Sequence, residues 1–152
     1  MLKIPSKVSV MISLALSVLF FIVLIAGAVI MPTQANIFID LIHKVETQSA
    51  RIFIIVLAYL ILLIMALADV FLFRLLKLVK EGKVFTVKSV AYIRCISWCA
   101  MILCPVFALL GIYFYISFFV SFACIFFGIS LRVVKNVIEE ATRIKAENDF
   151  TI

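Results

Sequence analysis

One carboxylate and three arginines are the residues of this chain best suited to chemistry in an apolar setting. Asp69 is the single acidic residue in an apolar stretch that runs from Ile52 to Phe73. A carboxylate among apolar residues is costly and often marks a proton or ion pathway, unless a cation offsets its charge. Helix geometry puts Arg74, Arg94 and Arg132 near the level of Asp69. The sequence therefore predicts a structural ion pair between Asp69 and one of these arginines, with ion or proton coupling as the alternative.

Metal, cofactor and catalytic sites require clusters that this sequence does not contain. His43 is the only histidine, and it lies in a charged loop. Cys95 and Cys99 share a helix face, but an i, i+4 pair without neighbouring histidine or carboxylate is a poor metal site. Serines without a nearby base and the absence of a glycine-rich phosphate loop argue against an enzyme. We predict no enzymatic activity, no metal and no cofactor.

Long apolar runs must position these residues. The chain is 67% hydrophobic, and one run of 37 residues without charge extends from Cys95 to Leu131. A single helix of that length would overshoot a hydrocarbon core of about 30 Å, so it must fold back, with the hairpin predicted at Leu110–Tyr113. The sequence predicts an all-α, integral membrane four-helix bundle as one domain, 1–152. Its spans are expected at about 8–31, 52–73, 88–110 and 114–134, followed by a helical tail, 135–152.

Helix boundaries follow from local signals. Pro32 is expected to end the first span, and a short amphipathic helix is expected in the loop after it. Gly82 is a predicted helix C-cap and Thr86 a predicted N-cap. Pro105 is expected to kink the third span.

The basic residues predict an orientation. Of the 14 Lys and Arg, two lie before the first span, six lie from Arg74 to Arg94, four lie from Arg132 onward, and two lie in the first loop. The positive-inside rule then places both termini in the cytoplasm, with the spans in the cytoplasmic membrane. The formal charge of +6 is explained by the lipid bilayer as a partner, so direct nucleic-acid binding is not expected.

Two parts of this charged side are candidates for docking a partner. The first is the basic hairpin Arg74–Lys88. The second is the end of the tail, where an apolar tip follows Glu147 and Asp149 and could insert into a groove on a soluble protein. The simpler alternatives are a headgroup-binding hairpin and a frayed end. The candidate docking residues are Lys77, Lys80, Lys83, Phe85, Phe150 and Ile152.

Two stretches resemble a known family. Lys80-Glu-Gly-Lys-Val-Phe-Thr86, followed by Arg94 in the next helix, and the closing Ala146-Glu-Asn-Asp-Phe-Thr-Ile152 are similar to domain of unknown function 2975 (YoaS-like proteins). The resemblance implies a four-helix membrane protein encoded beside a small helix-turn-helix regulator of the Cro/repressor type. Phe150 stands where the family pattern has leucine. The family has no established activity, so the resemblance supplies context and no chemistry.

These observations predict a regulatory or interaction protein that binds a cytoplasmic partner, with a helix-turn-helix transcription regulator as the candidate. The alternative is a transporter or exporter of small molecules or peptides, or an immunity-type membrane protein. A transporter should carry several buried polar groups around a midplane site, whereas this sequence offers Asp69 and scattered serines. Association of the chain with itself stays open.

Overall fold

The computed structural model describes residues 6–41 and 47–149, and within them all regular structure is helical. The four helices are α1 (Ser6–Leu41), α2 (Gln48–Lys80), α3 (Val87–Gly111) and α4 (Ile116–Asp149). All four are long and apolar enough to cross a membrane. The predicted all-α architecture of four spanning helices is therefore confirmed.

The first helix is longer than predicted. Helix α1 continues through Pro32 to Leu41, so the expectation that Pro32 ends it is wrong. The expectation of a separate amphipathic helix that begins before Leu41 is wrong for the same reason. Residues 42–46, where that helix was to continue, lie outside the described ranges. Proline has no N–H, so the carbonyl of Ala28, four residues earlier, lacks its intrahelical donor. The Tyr59 hydroxyl of α2 donates to that carbonyl at 3.1 Å, which explains why the helix can continue.

We expect Tyr59→Phe to lower the free energy of unfolding by roughly 1 kcal/mol, because the Ala28 carbonyl then loses its donor in an apolar environment. In a Pro32→Ala background the new amide N–H can bond that carbonyl, so the same substitution should cost less. Reversible unfolding in mixed micelles of mild and denaturing detergent would measure both costs. Equal costs in the two backgrounds would contradict this account of Pro32.

The turn between α2 and α3 begins with a glycine-dependent helix stop. Gly82 adopts a left-handed conformation, with φ of +73°. Its N–H donates to the Val79 carbonyl at 3.0 Å, and the Lys83 N–H donates to the Leu78 carbonyl at 2.9 Å. This pair of bonds is the Schellman arrangement, in which glycine avoids the steric cost of a side chain. The predicted stop at Gly82 is confirmed.

The same turn ends with a capped helix start. The Thr86 hydroxyl accepts a hydrogen bond from the Ser89 N–H at 3.3 Å, as an N-cap should. The buried Ser89 hydroxyl donates to the Lys83 carbonyl at 3.1 Å. The predicted cap at Thr86 is confirmed, and Ser89 adds a second bond that holds the turn against α3.

Each helix packs on its neighbour in the chain. Helix α1 contacts α2, α2 contacts α3 and α3 contacts α4, whereas no described Cα of α1 lies within 8 Å of a Cα of α3 or α4. The two middle helices share an apolar core formed by Leu57, Ile61, Ile64, Leu103 and Val106. The helices therefore lie side by side in chain order, with α2 and α3 in the middle. Most apolar side chains of α1 and α4 are exposed.

Small residues bring α3 and α4 close together. The Ser97 hydroxyl donates to the Gly128 carbonyl at 2.8 Å, and the Ser121 hydroxyl donates to the Cys104 carbonyl at 2.8 Å. Hydroxyl and glycine contacts of this kind let membrane helices approach closely. The turn that joins these helices comprises residues 112–115. It begins two residues later than the hairpin predicted at Leu110–Tyr113.

Three parts of the chain meet at one end of the helices, which we call the basic end. They are the start of α1, the α2–α3 turn (81–86) and the polar end of α4, from Arg132 to Asp149. Leu14 of α1 and Glu81 of the turn line one groove, and Phe85 of the turn and Ile144 of α4 line another, so the turn lies beside both outer helices. Of the twelve basic residues that predicted the orientation, Lys3 lies outside the described residues, and the other eleven belong to segments around this end.

Candidate functional site

Asp69 is buried at the contact between α1 and α2. Its side chain is 5% exposed and that of Ser17 is 4% exposed. The Ser17 hydroxyl donates to Asp69 Oδ1 at 2.8 Å. The partner of the carboxyl is therefore a hydroxyl on α1, which lies 52 residues earlier in the chain. Ser9, Ser13 and Ser17 are spaced four residues apart, so they lie on one face of α1, and this spacing is the sequence signal that could have indicated the contact.

Two of the three arginines expected near Asp69 have other partners. Arg94 forms an ion pair with Glu139 at 3.4 Å, and the Arg132 guanidinium lies 4.6 Å from the centre of the Trp98 ring. Among the side chains that the structure describes, no cation lies within the 4.0 Å ion-pair distance of Asp69. Arg74 lines the same groove as Asp69. In this structure Ser17 is the hydrogen-bond partner of Asp69, and no ion pair joins Asp69 to Arg74.

A groove follows one side of the α1–α2 contact, and we call it the seam groove. Its inner part, of about 280 Å³, reaches Asp69 and Arg74. Its outer part, of about 520 Å³, opens at the basic end beside Lys77 and Lys80. Val18 and Phe73 line both parts, so the two parts adjoin each other along the helix contact. Its walls are mostly apolar, with Lys77 and Lys80 at its mouth and with Arg74 and Asp69 along its inner part.

A second groove lies on the other side of the same helix contact. It has a volume of about 540 Å³ and is lined by Ser13, Ser17 and Asp69 together with apolar side chains of both helices. The Ser17–Asp69 pair therefore forms part of the wall between two grooves. No basic side chain lines this second groove among the described residues.

The predicted docking residues fall on two surfaces. Lys77 and Lys80 line the seam groove, whereas Phe85 lines a groove of about 430 Å³ against the polar end of α4. Lys83 forms an ion pair with Glu81 at 3.1 Å. Phe150 and Ile152 lie outside the described residues. We call the second surface the tail groove, and its lining residues are Phe85, Ala141, Ile144, Lys145 and Asn148.

Charged contacts hold the polar end of α4 against α3. The Glu139 carboxylate forms an ion pair with Lys135 of the same helix at 2.6 Å and another with Arg94 of α3 at 3.4 Å. The hydrogen bond from Lys135 lowers the pKa of the Glu139 carboxyl, and the charges of Lys135 and Arg94 act in the same direction. Glu139 therefore stays ionised and links the two helices beyond the apolar part of α4.

The described residues offer binding surfaces and a hydroxyl–carboxyl pair. All four cysteines are free thiols. No group of three or more potential metal ligands occurs in the part of the chain that the structure describes. The features that distinguish this site are therefore the seam groove, the tail groove and the buried contact of Ser17 with Asp69.

Comparison with known proteins identifies a family. Residues 41–152 match the model of a protein of unknown function, DUF2975. No curated protein and no solved structure matches the chain significantly. The matched range takes in α2, α3 and α4 with the α2–α3 turn and the tail groove. Since the match covers well over half of the sequence, the chain belongs to the DUF2975 family.

Proposed function

We propose that this protein is a membrane-embedded, non-catalytic interaction protein that holds a soluble partner at its basic end. The observation that carries the proposal is an exposed apolar stripe on the polar end of α4. Val133, Val137 and Ile144 are 59%, 63% and 49% exposed there. Apolar side chains on lipid-facing parts of the helices need no partner, but on a charged helix end they favour one.

The stripe lies where a soluble protein can reach it. From Arg132 to Asp149 the helix extends over 18 residues, about 27 Å, past the apolar part of α4. Phe85 of the α2–α3 turn lines the tail groove with Ile144, so the apolar surface includes the turn as well. Lys145 adds a cation to the same groove. An amphipathic segment with apolar anchors and an acidic flank would complement this surface.

The proposed orientation places this surface in the cytoplasm of a bacterium. The segments around the basic end contain twelve of the 14 Lys and Arg, and such residues stay on the cytoplasmic side during insertion. The proposed partner is a small helix-turn-helix transcription regulator, as the family resemblance implies. Holding such a regulator at the membrane would keep it from its DNA site, and its release would be the regulatory step.

We expect Val137→Gln combined with Ile144→Gln to reduce recovery of the partner to roughly a tenth, because both substitutions put polar groups into an apolar contact. The test co-expresses the full-length tagged protein with the regulator encoded beside it and measures how much regulator copurifies from solubilised membranes. The matched control is Ala146→Gln together with Asn136→Ala, on exposed positions of the same helix end.

Yield in the membrane fraction must be equal for all variants, so that a loss of partner is not a loss of protein. If the regulator copurifies with the stripe variant as well as with the unmodified chain, the proposed surface is wrong. If it copurifies with neither, the proposed partner is wrong.

Transport is the second candidate function, and the buried Ser17–Asp69 pair is the observation that favours it. Intramembrane carboxyls are common in proton pathways. The buried hydroxyls of Ser97 and Ser121, however, donate to backbone carbonyls, so they join helices and do not line a path. Proton uptake into proteoliposomes that is lost in Asp69→Asn would favour transport over the interaction role.

A further inference from the structure

We infer that the seam groove is a binding site for an anionic phospholipid, with one acyl chain in the groove and the phosphate between Lys77 and Lys80. Both lysines line its mouth at the end of α2. This site lies on the α1–α2 side of the basic end, apart from the tail groove. It does not depend on the proposed partner.

The lining of the groove matches the two parts of such a lipid. Its walls between the mouth and the inner end are apolar except for Arg74, and they are formed by side chains such as Leu14, Val18 and Phe73. Lys77 and Lys80 are three residues apart and therefore lie on neighbouring positions of the helix surface. Two ammonium groups side by side attract a phosphate, and their aliphatic stems extend over the apolar wall.

The one acidic residue at the mouth is already neutralised. Glu81 lines the outer part of the groove, where its charge would oppose a phosphate. Its carboxylate forms an ion pair with Lys83 at 3.1 Å. The net charge presented by the mouth is therefore positive, which favours an anionic headgroup over a zwitterionic one.

The depth of the groove fits a chain that enters from one leaflet. Lys80 and Asp69 are eleven residues apart, or about 16 Å of helix. One leaflet of the hydrocarbon core is about 15 Å deep. With the lysines at headgroup level, an acyl chain can follow Val18 and Phe73 inward, and the Ser17–Asp69 pair marks the inner end of the groove.

The test titrates the full-length protein in detergent with dioleoyl phosphatidylglycerol and measures binding by native mass spectrometry. Dioleoyl phosphatidylcholine has the same chains without net charge and should bind more weakly. Lys77→Gln combined with Lys80→Gln should weaken phosphatidylglycerol binding by roughly thirtyfold, at about fivefold for each cation. The control is Lys88→Gln with Arg143→Gln, which removes the same charge from exposed positions outside the groove.

A second pair of variants tests the groove itself. Ala15→Trp fills the outer part of the seam groove and should weaken binding although every charge is kept. Leu19→Trp, on the same helix, places an equal ring in the groove on the other side of the helix contact and should not. Free glycerol 3-phosphate should compete poorly, because it has no chain to occupy the groove.

Three results would overturn the inference. The first is equal weakening by the lysine pair and by its control, which would indicate a diffuse charge effect. The second is equal binding in Ala15→Trp and Leu19→Trp. The third is competition by glycerol 3-phosphate as strong as that of the whole lipid, which would make the site a phosphate site. Partner recovery is a separate measurement, so failure here leaves the proposed function unaffected.

Discussion

Gly128→Leu is expected to lower the free energy of unfolding by about 3 kcal/mol, because α3 and α4 touch at this residue. A Cβ at position 128 would lie 2.8 Å from Met101 Cγ, 3.4 Å from the Met101 backbone nitrogen and 3.5 Å from the Ser97 carbonyl oxygen. The methionine side chain can move, but the backbone atoms of α3 can move only if the helices separate. Separation would also stretch the 2.8 Å hydrogen bond from Ser97 to Gly128.

Gly27 provides the matched control, because it lies in another helix with more space. A Cβ there would meet Leu62 at 3.9 Å, an ordinary van der Waals contact. We expect Gly27→Ala to change stability little and Gly128→Ala to cost an intermediate amount, since Met101 must shift. Unfolding in mixed micelles gives the three values. A cost for Gly128→Leu no greater than that for Gly27→Ala would show that the α3–α4 contact is looser than described.

Ser17→Ala is expected to cost about 2 kcal/mol, because it leaves the buried Asp69 carboxyl without its hydrogen-bond donor. Asp69→Asn should cost much less, since the amide oxygen can accept the same bond from Ser17. An ion pair with Asp69 would make Arg94→Ala or Arg132→Ala worse than Asp69→Asn, because loss of the arginine leaves a buried carboxylate unpaired. The partners that the structure gives these arginines remove the reason for that order, so we expect Ser17→Ala to be the most damaging of the four.

Ser13→Ala is the control for the loss of a hydroxyl on the same face of α1. The Ser13 hydroxyl donates to the Ser9 carbonyl of its own helix at 3.1 Å. Removing this hydroxyl therefore leaves no buried carboxyl without a hydrogen-bond donor. Combining Ser17→Ala with Asp69→Ala should restore part of the stability, because both polar groups are then absent. If Ser17→Ala costs no more than Ser13→Ala, the bond between Ser17 and Asp69 does not stabilise the fold.

The features that the sequence predicted correctly depend on local chemistry. The spans follow from runs such as Cys95–Leu131, in which lipid excludes charge. The stop at Gly82 and the cap at Thr86 depend on residues at most six positions away, so composition and spacing were enough. The family resemblance was also carried by a local motif, and the match over residues 41–152 confirms it.

The features that were wrong or missed depend on distant residues. Pro32 does not end α1, because Tyr59, in another helix, donates to the carbonyl that proline leaves free. The partner of Asp69 could not be read from its own segment, since the choice between Ser17 and Arg74 depends on which face of α2 meets α1. The tail groove likewise requires the α2–α3 turn to lie beside α4, and nothing in the spacing of Phe85 and Ile144 indicates that.

The row-like packing of the helices has a consequence for how the chain assembles during synthesis. Helices enter the membrane one after another, and here each new helix finds its contact surface on the helix inserted just before it. No step has to bring α1 and α4 together along their lengths, because none of their described Cα atoms lie within 8 Å. The sequence separation that each docking step must close is therefore short, which keeps its entropic cost low. The fold can grow in chain order, because the main contact surface of each new helix is already in the membrane when that helix enters.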